Sequence, residues 1–188
     1  YVYVLTSTTK DLYYEQALIS AYSLRKKMPN SQIIFIVDDN TEKSFTEENK
    51  RLALKKYASQ VISVKFDENI PNIDRSRLLK TSIPDYIDES FLYIDCDTVI
   101  CDDLSEIENE KAVTGGVLDG HCLLNEHIHK KYFLERDKKL GFSGTKEAGY
   151  NINGGLLLAK ADTPEQKEQT KALFKKWNEL WKYSAYKK

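Results

Sequence analysis

The sequence lacks long apolar runs, and it lacks a clear excess of charge of either sign. The longest unbroken apolar run covers residues 33–37, whereas a helix that crosses a bilayer needs about 20 residues. The 28 basic and 29 acidic side chains leave a net charge of −1, and a surface that binds nucleic acid would need a basic excess. We therefore expect no transmembrane segment and no nucleic acid partner, while peripheral contact with a membrane remains open.

Cysteine is also scarce. The three cysteines, Cys96, Cys101 and Cys122, form no C-x-x-C pair and have no histidine partner at the spacing of a zinc site. An odd number of cysteines without such a pattern is typical of reduced thiols, so we expect a cytoplasmic protein. The chain begins at Tyr1 inside a strand-like run and stops abruptly at Lys188, and we expect it to be a fragment.

Strand-like apolar runs alternate with runs of helical periodicity along the chain. Such alternation favours an α/β fold with a Rossmann-like, mainly parallel sheet flanked by helices, and 188 residues suit one domain. Ligands of these sheets bind beyond the carboxyl ends of the strands. We predict strands over residues 1–5, 32–37, 61–66, 91–94, 112–118 and 155–159, helices over 14–28, 46–57, 76–83, 123–140 and 164–183, and functional loops at 6–11, 38–39 and 95–97.

Two acids, Asp95 and Asp97, directly follow the predicted strand over residues 91–94. A carboxylate beside a buried strand is costly to desolvate, and two carboxylates one residue apart repel each other. A divalent cation that prefers oxygen ligands, Mn²⁺ or Mg²⁺, would offset both charges and leave positions for phosphate oxygens. The alternative is a turn in which the two acids only cap the next element.

The same segment also fits D-x-D-x-(T/V), the signature of haloacid-dehalogenase-type phosphatases. In that interpretation Asp95 is the nucleophile and Asp97 the general acid. Against it, this motif usually opens its domain, whereas three βα-like units come first here, and no suitable Gly-Asp pair follows. A module that binds a nucleotide sugar without catalysis is a further alternative.

Four segments, in their order and spacing, resemble the family 8 retaining glycosyltransferases: residues 4–7 with Tyr13 and residues 16–25, residues 76–79, residues 93–98 and residues 152–158. The resemblance runs from residue 1 to about residue 160. It implies a GT-A fold and a nucleotide-sugar donor, and hence a single GT-A-type domain over residues 1–188 that is truncated at its C-terminus. The implied reaction moves a hexose, glucose or galactose, from a UDP-sugar to an acceptor hydroxyl with retention of configuration. The acceptor would be a glycan, a glycolipid or a glycoprotein.

The resemblance also implies roles for residues near the nucleotide. Thr6 and Ser7 would contact the nucleoside, and Tyr13 would stack on the base, most simply uracil. Tyr14 is the alternative stacking residue. Arg77 would reach the donor phosphate or sugar, because its guanidinium suits oxyanions.

Further roles concern the metal and the sugar. Asp95 and Asp97 would hold Mn²⁺ or Mg²⁺ on the diphosphate, with Cys96 between them in contact with the donor. Asp119 and Asn153 would bind sugar hydroxyls and, with the arginine named above, position the donor for transfer. Asn151 is a less favoured alternative to Asn153 in this role. Gly154 and Gly155 would allow close approach of the backbone to the donor.

Two motifs of that family are missing. The sequence contains neither a D-Q-x-x-(L/F)-N segment nor a late His-x-x-Gly-x-x-Lys-Pro-Trp stretch, which supplies a further metal ligand and a lysine for the diphosphate. His121, His127 and His129 come too early and lack the glycine and lysine context. We expect them on the surface or on a helix face, outside the metal site.

Overall fold

Six strands form one sheet in a computed structural model that describes residues 1–141 and 149–186. The strand order is β3-β2-β1-β4-β6-β5. The pairs β1–β2, β2–β3 and β1–β4 are parallel, whereas β6 is antiparallel to both β4 and β5, so five strands point one way and β6 points the other. The strands are β1 (Val2–Leu5), β2 (Ile34–Asp38), β3 (Gln60–Val64), β4 (Phe91–Ile94), β5 (Thr114–Leu118) and β6 (Ile152–Ala159).

Helices cover both faces of this sheet. They are α1 (Tyr13–Lys27), α2 (Asp39–Lys43), α3 (Asn72–Thr81), α4 (Ile83–Tyr86), α5 (Ser105–Glu108), α6 (Lys130–Lys139) and α7 (Pro164–Tyr186). The predicted α/β architecture with a mainly parallel sheet and flanking helices is therefore confirmed. None of the helices in the described ranges is both long and apolar enough for a bilayer crossing.

Alternate residues of the central strands pack into two separate cores. Tyr3 and Phe35 face α1, where their rings stack with centroids 4.9 Å apart. Val4 and Ile36 face the opposite side, where they pack with residues of α3 and α7. Because both faces are covered, these strands are apolar throughout. Each large side chain buried in this way contributes about 1.5–3 kcal/mol to stability.

Two predicted helices are wrong over much of their length. Residues 46–52 form a bend, turns and irregular structure, and only a short 3-10 helix, Ala53–Lys56, follows them. Lys50 adopts a positive φ of 56° there, which interrupts an α-helix, and the Arg51 side chain bonds to Thr8 and Ser44. The predicted helix over 123–140 is helical only in α6. The short helix α2, which the sequence analysis did not predict, is capped at its N-terminus by Asp38, whose carboxylate accepts from the Thr41 N–H.

The topology brings four chain segments to one edge of the sheet. This edge holds the carboxyl ends of β1, β4 and β5 together with the start of β6. Its register pairs Ile94 with Leu156 and Leu118 with Ile152. The residues that follow β1, β4 and β5, and those that begin β6, therefore share one side of the molecule.

Candidate functional site

The turn after β4 is fixed to its neighbours by main-chain and hydroxyl hydrogen bonds. The Asp95 N–H donates to the Gly155 carbonyl of β6 at 2.8 Å. The Thr98 hydroxyl donates to the Asp95 carbonyl at 2.8 Å and lies 3.1 Å from the Ser20 hydroxyl of α1. The two predicted metal ligands thus stand on a turn that is held from both sides.

One carboxylate oxygen of Asp95 is already engaged by two side chains. Its Oδ1 lies 3.0 Å from the Lys80 ammonium and also accepts a hydrogen bond from the Tyr93 hydroxyl. The Lys80 side chain is 5% exposed and that of Asp95 is 38% exposed. The pair therefore joins a buried cation to an acid that solvent can still reach.

Burial and charge act in opposite directions on Lys80. Burial lowers the pKa of its ammonium, while the carboxylates of Asp95 and Asp97 raise it and only partly compensate. Burial, reinforced by the neighbouring Asp95 carboxylate, raises the pKa of Tyr93 well above its ordinary value. Tyr93 consequently stays protonated and remains a hydrogen-bond donor to Asp95.

The middle and last residues of the D-x-D segment differ in exposure. Asp97 is exposed, and its carboxylate accepts no hydrogen bond from any residue in the described ranges, although its charge reaches Lys80. The Cys96 thiol points to β1, where it donates to the Val4 carbonyl at 3.2 Å. Burial raises the pKa of Cys96, with the adjacent carboxylates adding to the effect, so this side chain is a neutral packing group and only its backbone can meet a ligand.

These residues fit a metal ion that a ligand completes better than one that the protein alone encloses. Among residues 1–141 and 149–186, no group of three or more His, Cys, Asp or Glu side chains could hold a metal ion. Mg²⁺ is commonly bound through one or two carboxylates together with phosphate oxygens and water. Asp95, through its less engaged oxygen, and Asp97 offer such a partial set.

The loop after β1 is ordered by an acid that the sequence analysis overlooked. Asp11 accepts hydrogen bonds from the hydroxyls of Ser7 and Thr8 and from the backbone N–H groups of Thr8 and Tyr13. Burial raises the pKa of Asp11, but these bonds outweigh it and leave the pKa below its ordinary value. Thr6 is buried, and its hydroxyl donates to the Asn72 carbonyl at 3.2 Å.

The two candidate stacking residues have different surroundings. Tyr13 is 57% exposed at the start of α1, with its ring available to a planar ligand. Tyr14 is 2% exposed, its ring packs against Phe45, and its hydroxyl accepts from the Leu54 N–H. Tyr14 is therefore a core residue, and Tyr13 is the one whose face a base could cover.

A second acid lies at the end of β5. The Asp119 carboxylate accepts hydrogen bonds from the amides of Asn151, at 3.0 Å, and Asn153, at 3.4 Å. The His127 imidazole is buried, and its Nε2 lies 3.6 Å from Asp119. The expectation that all three histidines lie on the surface or a helix face is thus wrong for His127, whose Nδ1 accepts from the His129 N–H.

Gly155 lies next to both Asn153 and Asp95. A Cβ atom there would come within 2.9 Å of Asn153 Oδ1 and 3.1 Å of Asp95 Oδ2. The Gly155 N–H donates to Asn153 Oδ1 at 2.7 Å. The glycine predicted for close approach therefore separates a predicted sugar-binding amide from a predicted metal ligand.

Arg77 is exposed on α3. Its side chain has no hydrogen-bond or ion-pair partner in the part of the chain that the structure describes. Its charge nevertheless reaches Lys80 and Tyr93, where it favours the deprotonated form of each. An unpaired guanidinium beside the turn after β4 is available to an anionic ligand.

Two residues around Asp95 escaped the sequence analysis. Lys80 was passed over because nothing in the sequence marks one lysine of a charged helix as buried. Tyr93 belonged to the predicted apolar strand and to the D-x-D segment, and the sequence analysis assigned it no role of its own. The signal that could have found them is their position: Lys80 lies one helical turn after Arg77, and Tyr93 lies two residues before Asp95, on the same side of β4.

The fold is similar to that of the galactosyltransferase LgtC. An LgtC structure with donor and acceptor sugar analogues matches with a TM-score of 0.56 and 20% identity, over 91% of this chain and 64% of that chain. An active-site mutant of LgtC matches with a TM-score of 0.60 and 19% identity, over 96% of this chain and 64% of that chain. This chain thus spans 64% of the length of each LgtC structure.

The glycosyltransferase GlyE of Streptococcus pneumoniae aligns with a TM-score of 0.47 and 14% identity, over 99% of this chain and 43% of that chain. No protein-family model matches the sequence, and no curated protein matches it significantly. At these identities the likeness to LgtC establishes a shared fold.

Proposed function

We propose that this chain binds a nucleotide-sugar donor at the edge formed by β1, β4, β5 and β6, as the donor-binding part of a glycosyltransferase. The observation that carries the proposal is the arrangement around Gly155. Asp95 Oδ2 and Asn153 Oδ1 both lie within 3.1 Å of the position that a Gly155 Cβ atom would take, and the amides of Asn153 and Asn151 donate to Asp119. The carboxylates of Asp95 and Asp97 suit a cation-bound diphosphate, and the group around Asp119 suits sugar hydroxyls.

In the proposed reaction, a hexose moves from UDP to an acceptor hydroxyl with retention. A divalent ion, when bound, supplies positive charge to the leaving diphosphate. Asp95 and Asp97 would hold that ion, and Arg77 would donate to the phosphate or sugar. Asp119 and its neighbouring amides would fix the sugar, so that the protein contributes positioning and charge rather than a nucleophile.

The nucleoside end of the donor is proposed to lie on the loop after β1. The exposed ring of Tyr13 offers a face for a base, and uracil fits the UDP-sugar interpretation. Thr6 and Ser7 are buried and already bonded within the protein. We therefore propose that these two residues shape the loop and meet the nucleoside mainly through their backbone.

The phosphatase alternative is disfavoured by the place of Asp95 in the chain. Its motif usually opens the domain, whereas here β1, β2 and β3 come before the strand that Asp95 follows. The binding module without catalysis shares the same site and predicts UDP binding without transfer.

A thermal-shift panel tests the proposal, because a ligand that binds only the folded state raises its melting temperature. The panel contains UDP, UDP-glucose, UDP-galactose and GDP-mannose, each with and without Mn²⁺. We expect stabilisation by the uridine ligands that requires Mn²⁺ and is lost in Asp95→Asn. An equal response to all four nucleotides, or no response, would contradict the proposal.

Tyr13→Ala tests the base-binding part. We expect weaker UDP binding by about tenfold, or ~1.4 kcal/mol, with little change in melting temperature, because the ring is exposed. Tyr22→Ala on the exposed face of the same helix is a control that should leave UDP affinity unchanged. An unchanged UDP affinity in Tyr13→Ala would remove this residue from the site.

A further inference from the structure

Lys80 is set apart from the other described lysines by its burial, since it alone among them is buried. Its ammonium lies 3.0 Å from Asp95 Oδ1 and 4.5 Å from the centroid of the Tyr93 ring. A Cβ atom on Gly154 would come within 3.4 Å of it. The ammonium thus occupies a pocket under β4 and β6, directly behind the D-x-D turn.

The two carboxylate oxygens of Asp95 have different surroundings. Oδ1 carries the contacts to Lys80 and Tyr93, whereas Oδ2 lies on the side of Gly155, 3.1 Å from where a Cβ atom would be. An ammonium that has been removed from water requires a negative partner nearby. Asp95 therefore forms an ion pair with Lys80 in the absence of any ligand.

We propose that Lys80 is a resident counter-ion that weakens the binding of free divalent cations to Asp95 and Asp97, so that the site accepts a cation chiefly together with a nucleoside diphosphate. This inference rests on the proposed function, because it presupposes that these two acids receive a cation. Lys80 neutralises one of two neighbouring negative charges and leaves one Asp95 oxygen free. A diphosphate brings the charge and the oxygen ligands that the acids then lack.

Lys80 acts on the cation through Asp95 and is a positioning residue. A role in packing alone predicts that its replacement loosens the turn and weakens cation binding. The counter-ion role predicts the opposite sign, because two uncompensated carboxylates attract a divalent cation more strongly. The affinity for Mn²⁺ alone, without nucleotide, separates the two roles.

The experiment compares the Mn²⁺ affinity of the wild-type chain with that of two variants, by calorimetry or by the electron paramagnetic resonance signal of free Mn²⁺. Lys80→Gln removes the charge and keeps a hydrogen-bond donor, whereas Lys80→Met removes both and keeps an unbranched side chain of similar length. We expect both variants to bind Mn²⁺ roughly tenfold or more tightly than wild type. Lys43→Gln, which breaks an exposed lysine–aspartate pair with Asp39, is the matched control and should behave as wild type.

Thermal unfolding of each variant establishes that it is folded before its affinity is compared. Unchanged or weaker Mn²⁺ binding in the folded Lys80 variants overturns the inference, and so does a gain that Lys80→Met shows and Lys80→Gln does not. UDP titrations with and without Mn²⁺ on the wild type test the underlying function separately. If wild-type UDP binding shows no dependence on Mn²⁺, both proposals fail; if it does and the Lys80 variants bind Mn²⁺ as wild type, only the counter-ion role fails.

Discussion

Asp95 and Asp119 lie at the same edge of the sheet, and different kinds of partner hold them. Asp95 is held by the charged Lys80 and by the hydroxyl of Tyr93. Asp119 is held by neutral amides, with the His127 imidazole 3.6 Å away. The first acid is therefore charge-compensated within the protein, and the second is mainly oriented by hydrogen bonds.

This difference suits different ligands. A carboxylate that is already paired with an ammonium attracts a metal ion less strongly. Metal binding then depends on further negative ligands, such as a diphosphate. A carboxylate oriented by amides retains acceptor capacity for hydroxyl groups, which carry no charge and demand directed hydrogen bonds. We expect mutations on the Asp95 side to alter cation-dependent nucleotide binding and mutations on the Asp119 side to alter the response to the sugar.

The largest predicted effect compares Asp95→Asn with Asp119→Asn. We expect Asp95→Asn to weaken Mn²⁺-supported UDP binding by about 100-fold, or ~2.7 kcal/mol, because it removes a ligand charge. Asp119→Asn should leave UDP affinity within about twofold and weaken binding of UDP-galactose or UDP-glucose relative to UDP. Calorimetry with each ligand measures both. Equal losses of UDP affinity in the two variants would contradict the assignment of Asp95 to the nucleotide and Asp119 to the sugar.

The next effect concerns Gly155, which lies next to both Asn153 and Asp95. Gly155→Ala should displace Asn153 and Asp95, whose oxygens lie within 3.1 Å of the added methyl group, and weaken UDP-sugar binding by about tenfold. Gly115→Ala on β5 is the matched control, because its methyl group would meet only Leu158, at an ordinary contact distance of 3.8 Å. The two variants should therefore differ in calorimetric titrations with UDP-galactose. Equal behaviour would show that Gly155 is not needed to separate Asn153 from Asp95.

A smaller effect is expected from the neutral partners of each acid. Tyr93→Phe removes one donor from Asp95 and keeps the buried ring, so it should weaken Mn²⁺-supported UDP binding by about three- to tenfold. Asn151→Ala removes the amide that donates to Asp119, and it should spare UDP while weakening UDP-sugar binding by a similar factor. Titrating both variants with UDP and with UDP-galactose checks whether Tyr93→Phe weakens UDP binding while Asn151→Ala weakens only the binding of the UDP-sugar. The same ligand profile in both variants would count against two separate subsites.

The smallest effect uses Asp11, a third acid held only by neutral donors. Its pKa lies below the ordinary value of 3.8 because hydrogen bonds outweigh burial, which by itself raises the pKa. Such a group adds stability above its ordinary pKa and loses it as the pH falls through the folded-state value. Asp11→Asn should lower stability by about 1 kcal/mol, or roughly 2–4 °C, at pH 7. Melting curves from pH 7 to pH 3 should show the difference from wild type shrinking below about pH 4; a constant difference would contradict this role.

The sequence predicted the sheet well because the central strands are buried on both faces. The predicted strand over residues 91–94 agrees with β4, and the D-x-D turn follows it as expected. The apolar run that became β2 was recognisable for the same reason. By contrast, residues 46–57 contain the polar and acidic residues of a helix start, yet tertiary hydrogen bonds from Arg51 and a positive φ at Lys50 override that local preference.

Within the candidate site, the positions of residues at strand ends were predictable, and those of the residues packed behind them were not. Asp95, Asp119 and Asn153 follow strands or begin one, so their position can be inferred from a sequence pattern. Lys80 and His127 depend on which side of a helix or loop packs under the sheet, which only the folded chain decides. The counter-ion of Asp95 therefore could not be inferred from the sequence, although it determines the charge of the site.

Paramagnetic broadening of amide NMR signals by Mn²⁺ in the presence of UDP tests the central claim most directly, because it locates the ion on the folded chain. The account predicts selective broadening of the signals of residues 95–98 and of Gly155, and loss of that broadening in Asp95→Asn. Broadening that centres on other acidic residues, or that persists unchanged in Asp95→Asn, would contradict the claim that the turn after β4 receives the cation.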